Sequence, residues 1–241
     1  MREPRNIVVT GGSRGLGHTI AEAFLARGER VWVISRHGAE AGASADPRLQ
    51  YLIADVRSRE QLDAAVVEIR AAASHLDVWV NNAGFGQPVP FHDADNALWE
   101  EMFAVNFWGT VHGTRAALGA LRRPGGVIIN IASLAGLMAP RGHSAYATAK
   151  AAVIALTRAN AVEFASLGIR VNAIAPGPLD TEGFRRAGGD PVKRAQTIPT
   201  RQMIRPAEIA TTCVFLAEPV SSLTGQTIVV DGGSQAAGCY V

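Results

Sequence analysis

The sequence predicts an α/β fold: a doubly wound parallel sheet of about seven strands with helices on both faces. Three observations lead there. Short apolar runs alternate with longer helical patterns along the whole chain, the order that builds a parallel sheet. Runs such as Ile7-Val8-Val9 are apolar at consecutive positions, which suits strands covered on both faces. The chain has 241 residues, 48% of them hydrophobic, enough for one sizeable core and a single domain over 1–241.

The first strand is Asn6-Ile7-Val8-Val9-Thr10. Residues 15–27 place Leu16, Ile20, Ala23, Phe24 and Ala26 at helical spacing. Val31-Trp32-Val33-Ile34-Ser35 is the second strand, 37–47 a loop rich in Gly, Ala and Ser, and 49–54 the third strand. Ser58-Arg59-Glu60-Gln61 has the form of a capping box and starts a helix that runs to about Ala73. The fourth strand covers 76–80, a long helix 96–121, and the fifth strand 126–132. Residues 144–167 form a helix stopped by Gly168. The sixth strand covers 169–175, Pro206 opens a helix at its first turn, and 227–230 is a last short strand. The segment 176–206, rich in Gly, Pro and Arg, is the one long irregular stretch. A loop of that length in a compact domain is usually functional.

Composition excludes several classes. Only 18% of residues are charged, and 23 Lys and Arg against 21 Asp and Glu leave a net charge of +2. That argues against disorder and against a nucleic-acid binder. Cys213 and Cys239 are too few for a disulfide scaffold and fit a reducing compartment. The run at 7–9 is too short for a secretory signal. No stretch reaches the roughly 18 apolar residues of a membrane span. A soluble, cytoplasmic protein is expected. The histidines, His18, His37, His75, His92, His112 and His143, show no ligand spacing with carboxylates or cysteines, so no metal is expected.

Thr10-Gly11-Gly12-Ser13-Arg14-Gly15-Leu16-Gly17 lies between the first strand and the first helix. Glycines there allow a tight turn and a close backbone approach to a pyrophosphate, while the helix N-terminus offers N–H groups and partial positive charge. The second strand ends in Ser35-Arg36-His37, with no acid to bind a ribose 2′-hydroxyl. Arg36, with Arg14, suits a 2′-phosphate through its planar fork. NADP(H) is therefore expected over NAD(H). The alternative is that Arg36 is a solvated loop arginine.

Further motifs follow in order: Asn81-Asn82-Ala83-Gly84, Asn106, Ser133, Tyr146-Ala147-Thr148-Ala149-Lys150, Pro176-Gly177 with Thr181, and Asp231-Gly232-Gly233. With the Thr-Gly-x-x-x-Gly-x-Gly turn, the chain resembles the short-chain dehydrogenase/reductase family over nearly all its length. The resemblance implies a Rossmann-type fold and an oxidoreductase acting on CH–OH and C=O groups. It is nearest to reductases of β-ketoacyl thioesters and small ketones. It makes Tyr146 the acid/base, with Ser133, Lys150 and Asn106 as its partners. It places the cofactor against Gly11, Ser13, Arg14, Gly15, Leu16 and Gly17, then Ser35 and Arg36. Asp55 and Val56 would meet the adenine, and Asn82, Ala83 and Gly84 would lie under the adenosine ribose. Pro176, Gly177 and Thr181 would meet the nicotinamide.

The chemistry fits these residue types. Tyr146 and Lys150 are four apart and share a helix face. A cation about 4 Å from a phenol, at an effective dielectric of about 20, is worth roughly 4 kcal/mol, or about 3 pKa units. That brings a tyrosine toward the working range. Ser133 would stabilise the substrate oxygen. By resemblance, Asn106 would anchor a water on a proton path to Lys150, and Lys150 would hold the nicotinamide ribose.

Phe85, Gln87, Leu134, Ala135, His143 and the segment 179–202 would line the substrate pocket, again by resemblance. A solvated loop histidine is the alternative for His143. Arg185, Arg186, Lys193, Arg194 and Arg201 make that segment basic. It would suit an acidic or carrier-borne substrate, or form a solvated lid. Family members are homo-oligomers, tetramers or dimers. Here Trp99, Met102, Phe103, Phe107 and Trp108 fall in the long helix, as core or as subunit contact. Leu137, Met138 and Pro140 are expected as pocket wall or subunit contact. The expected function is an NADPH-dependent carbonyl reductase. A secondary-alcohol dehydrogenase running toward oxidation is the alternative. A cofactor-sensing regulator without chemistry is disfavoured because Asn106, Ser133, Tyr146 and Lys150 are all present.

Overall fold

In a computed structural model of the chain, β1 (Asn6–Thr10), β2 (Arg30–Ser35), β3 (Leu49–Ile53), β4 (Val78–Asn81), β5 (Val127–Ile131), β6 (Arg170–Pro176) and β7 (Thr227–Val230) form one sheet. All neighbours are parallel, in the order β3-β2-β1-β4-β5-β6-β7. Residues 3–39, 44, 46–186, 188–219 and 222–238 are described. Cys239 and part of the expected 37–47 loop lie outside them.

Successive residues of a strand face opposite sides of the sheet, and the central strands bury both. On one side Ile7, Val9, Val31 and Val33 pack with Ile20 and Phe24 of α1 (Gly15–Leu25) and with Ile209, Cys213 and Leu216 of α8 (Pro206–Ala217). On the other, Val8, Trp32, Ile34 and Trp79 meet Leu62 and Ile69 of α2 (Arg59–Ala72). Ala117 of α4 (Gly109–Leu118) and Ala161 of α5 (Ser144–Phe164) complete that layer. Among the described residues no helix is long and apolar enough to cross a membrane.

Four expectations need correction. The helix expected over 96–121 is not α-helical throughout and ends at Leu118: α3 (Asn96–Phe103) passes through a π-helical turn, Ala104–Trp108, directly into α4. The fourth strand starts later than expected, and Leu76 makes only an isolated bridge to Leu121. The stretch 176–206 is not wholly irregular. It holds α6 (Glu182–Arg186) and α7 (Pro191–Ala195), the latter capped by Asp190, and Leu179 bridges to Ile204. At α2 only half of the capping box forms. Ser58 accepts from the Gln61 N–H at 3.2 Å, but the Gln61 side chain accepts from the Asp55 N–H at 2.8 Å instead of returning to Ser58. The helix stop stands: after a 3₁₀ turn at Ala165–Leu167, Gly168 is left-handed at φ +66°.

Candidate functional site

In this sheet the chain turns opposite ways from β1, to β2 on one side and β4 on the other. The loops after those two strands meet at this switch point, where open α/β sheets bind ligands. Thr10 joins them. Its hydroxyl accepts from the N–H groups of Asn82 and Ala83 at 3.0 and 3.2 Å and donates to the Val80 carbonyl at 3.3 Å. The Asn82 amide donates back to the carbonyls of Thr10 and Gly11 at 2.9 and 3.2 Å.

The glycine turn has a physical reason at two positions. Gly11 adopts φ +66°, and a Cβ there would lie 2.8 Å from the Cα of Ala83. A Cβ on Gly17 would meet the Gly11 carbonyl and lie 2.5 Å from the Asn82 amide nitrogen and 2.8 Å from the Gly12 Cα. Helix α1 can therefore start hard against the turn. Arg14 stands at its N-cap without a side-chain cap, which leaves first-turn N–H groups for an anion. Ser13 and Leu16 are half-buried, and Arg14 and Gly15 are exposed. The cradle fits a diphosphate.

At the adenosine end, Ser35 is buried and its hydroxyl donates to the Gly38 carbonyl at 3.4 Å, while Arg36 is exposed. Asp55 is gripped by Arg57. The guanidinium contacts one carboxylate oxygen at 2.6 and 2.9 Å, and the Arg57 N–H meets the other at 2.9 Å. Those bonds, with a smaller contribution from the Arg36 charge, hold the Asp55 carboxyl below the usual carboxylate range. Val56 points into the core, and His112 Nδ1 lies 3.1 Å from its carbonyl. The Val56 side chain therefore belongs to the core rather than to the cofactor surface.

Asn106, Tyr146 and Lys150 converge on Gly84-Phe85-Gly86. Asn106 sits in the π turn, 0% exposed. Its amide donates to the carbonyls of Phe85 and Met102 at 2.9 and 3.0 Å and accepts from the Phe85 N–H at 3.2 Å. A Cβ on Gly84 would lie 2.6 Å from Asn106 Oδ1 and 3.1 Å from Lys150 Nζ, and one on Gly86 would touch the Tyr146 ring at 3.4 Å. Lys150 is 3% exposed, and its ammonium donates to the Ile131 carbonyl at 2.9 Å, two residues before Ser133. Burial pushes its pKa down to about 8.

Ser133 follows β5, nearly buried, and its hydroxyl accepts from the Ala135 N–H at 3.1 Å, which caps the 3₁₀ turn Leu134–Gly136. His143 sets its ring 6.4 Å from that of Tyr146, with Nδ1 3.0 Å from the Arg141 carbonyl. Gln87 is exposed and Phe85 half-buried. At the far edge, Gly177 donates to the Val230 carbonyl at 2.9 Å directly after Pro176, and the Thr181 hydroxyl accepts from the Phe184 N–H at 3.2 Å.

Two site expectations change. Leu134 is wholly enclosed, so it supports the turn and offers no surface to a substrate. Part of the charge of the 179–202 segment is internally engaged: Asp180 pairs with Arg185 at 2.8 and 2.9 Å, and the Arg201 guanidinium donates to the Gln196 carbonyl.

Sequence reasoning missed Arg57, the π turn and Gly86. The π turn did leave a mark. Trp99, Phe103 and Phe107 step by four, then Trp108 and His112 repeat the step displaced by one residue. Their rings neighbour one another in succession, with centroids 5.4–6.3 Å apart and mostly edge-to-face or tilted.

The chain is similar to several known oxidoreductases. A family model described as enoyl-(acyl carrier protein) reductase matches residues 11–235. The chain is 36% identical, over 93% of its length and 90% of the relative's, to a (5R,7aS)-5-hydroxy-7a-methyl-1-oxo-2,3,5,6,7,7a-hexahydro-1H-indene-carboxyl-CoA reductase of Mycobacterium tuberculosis. It is 38% identical, over 93% of its length and 92% of the relative's, to an L-tagatose-forming galactitol 2-dehydrogenase of Cereibacter sphaeroides. The solved structure of ElxO with NADP bound superposes with a TM-score of 0.89 at 28% identity, over 97% of this chain and 100% of that one.

Proposed function

The chain belongs to the short-chain dehydrogenase/reductase family of oxidoreductases acting on CH–OH and C=O groups, and we propose that it is an NADPH-dependent carbonyl reductase. The observation that carries this reading is the convergence of Asn106, Tyr146 and Lys150 on Gly84-Phe85-Gly86, beside a glycine turn shaped for a diphosphate.

NADP(H), when bound, supplies the hydride that reduces the carbonyl carbon. The protein's own groups manage the oxygen and its proton. Tyr146 gives its phenolic proton to the oxygen as charge develops there. Ser133, whose oxygen already accepts the Ala135 N–H, directs its own hydrogen to the same oxygen. Lys150 holds a positive charge beside Tyr146 at neutral pH, because its pKa of about 8 lies above 7. A group poised there can also return the proton to Tyr146. Asn106, fixed by three backbone atoms and the Met102 sulfur, holds the Phe85 segment of the site in place. Arg36 reads the 2′-phosphate of the cofactor, and Arg57 steadies Asp55 beneath the adenine.

The same reading takes the protein as cytoplasmic and as a homo-oligomer, with the half-exposed aromatic stripe of the long helix at the subunit contact. Oxidation of a secondary alcohol is the second reading, favoured by the galactitol dehydrogenase relative. Parallel fluorescence titrations with NADPH and NADH, followed by a panel of ketones, keto-thioesters and polyols, test both. Tighter NADPH binding with ketone reduction supports the first. Tighter NADH binding with polyol oxidation supports the second and removes the first.

A further inference from the structure

A chain of buried polar side chains crosses the centre of the molecule. The Trp79 indole donates to Asn81 Oδ1 at 2.7 Å. The Asn81 amide nitrogen donates to Asn130 Oδ1 at 2.9 Å and to the Thr114 hydroxyl at 3.1 Å. The Asn130 amide nitrogen donates to the Thr157 hydroxyl at 2.9 Å, and that hydroxyl donates to the Val153 carbonyl at 2.8 Å. All five side chains are buried. An indole N–H can only donate, so Trp79 fixes the orientation of Asn81, and Asn81 in turn that of Asn130.

We propose that Asn130 and Thr157 are positioning residues that fix α5, and with it Tyr146 and Lys150, against the strand leading to Ser133. The inference rests on the reading of Tyr146 and Lys150 given above. Two observations support it. First, apart from Lys150, Thr157 and Asn160 the buried positions of α5 are apolar: Ala145, Ala147, Ala149, Val153, Ile154 and Ala161. Apolar burial is non-directional, so the polar ties specify the register of the helix more sharply. Second, α5 is tied to β5 by polar bonds at two heights, Lys150 Nζ to the Ile131 carbonyl and Thr157 to Asn130. Seven residues separate Lys150 from Thr157 in the sequence, about two helical turns, so both project on one face. The lower tie, made by groups that do not titrate, leaves Lys150 at liberty to exchange a proton without releasing the helix. Through Asn81 the chain also reaches β4, whose end carries the Asn82–Gly84 loop that touches Asn106 and Lys150.

The test compares Thr157→Val, which keeps shape and removes the hydroxyl, with Thr157→Ser, which restores it. Ile69→Val of α2, a core methyl deletion remote from α5, is the stability control. The assay uses NADPH and whichever panel ketone the wild type reduces fastest, well below the melting temperature of every variant. T157V is expected to lower kcat by about tenfold or more, since small misplacements of reacting groups carry losses of that order. NADPH affinity should stay within about twofold, and T157S should recover kcat to within about twofold of wild type. If T157V does not fold, Thr157→Ala, which leaves space for a water against the Asn130 amide, is scored in its place. Wild-type kcat in T157V or T157A, or a loss no larger than that of I69V at equal destabilisation, overturns the inference. Tyr146→Phe is run beside them: full turnover in Y146F overturns the underlying reading instead.

Discussion

Lys150 sets its ammonium 5.9 Å from the centroid of the Tyr146 ring, one helical turn away on α5, with almost no exposure to water. Burial lowers its folded pKa to about 8 from an ordinary 10.5. Between those values the unfolded chain binds a proton that the folded protein does not. The contribution of Lys150 to stability therefore improves as pH rises from about 8 to 10.5, and the full penalty is present below 8. The penalty is on the order of 3 kcal/mol, at 1.36 kcal/mol per pKa unit. Lys150→Met should therefore be more stable than wild type at pH 7 in cofactor-free protein, by up to about 3 kcal/mol, with the difference shrinking toward pH 10.5. Urea unfolding of both proteins across that range checks the sign and the slope.

Gly17→Ala should fail in a specific way. The new methyl would press on the Gly11 carbonyl and the Asn82 amide, which are backbone and a hydrogen-bonded side chain rather than flexible tips. Overpacking of this kind costs about 1–3 kcal/mol. The same shift opens the junction between the β1 and β4 loops. Thermal melts should show the loss, and NADPH titration should show weakened binding beyond what lower stability explains.

Arg36→Asp should move cofactor preference toward NADH by about tenfold or more, since a charge-assisted bond to phosphate is worth roughly 1.5–3 kcal/mol. Arg57→Ala should weaken both cofactors alike, because Arg57 is committed to Asp55. Paired dissociation constants for the two cofactors separate these outcomes.

Cys213 lies fully inside the α1–α8 layer, and burial raises its thiol pKa. In a Cys239→Ser background, alkylation at neutral pH should proceed no faster than global unfolding. Quenched mass spectrometry at several urea concentrations measures that rate.

The strands and most helices were legible because their apolar periods are regular and their boundaries carry local chemistry. Thr227–Val230 and the Gly168 stop are two cases. The π turn escaped because one extra residue leaves the amphipathic stripe nearly intact. Its one-residue displacement at Phe107-Trp108 becomes visible only when the aromatic positions are counted singly. The short helices of the 176–206 stretch were hidden by Gly and Pro, although Asp190 followed by Pro191 is a cap and first-turn signal. Among site residues, the motifs locate positions in the chain but not what each side chain touches. Leu134 looks like a pocket residue by its place after Ser133, yet it is enclosed. Arg57 carries no motif at all, and its grip on Asp55 depends on the turn that precedes α2. The Trp79–Asn81–Asn130–Thr157 chain joins residues far apart in sequence, which no local pattern reveals.

The most direct measurement is single-turnover oxidation of NADPH by Tyr146→Phe in the presence of a ketone the wild type reduces, with NADPH affinity measured on the same sample. The account predicts a rate reduced by at least about a hundredfold, the scale of a lost general acid, with NADPH affinity within about twofold of wild type. A Y146F rate equal to that of wild type would contradict it and would take the proton donor away from Tyr146.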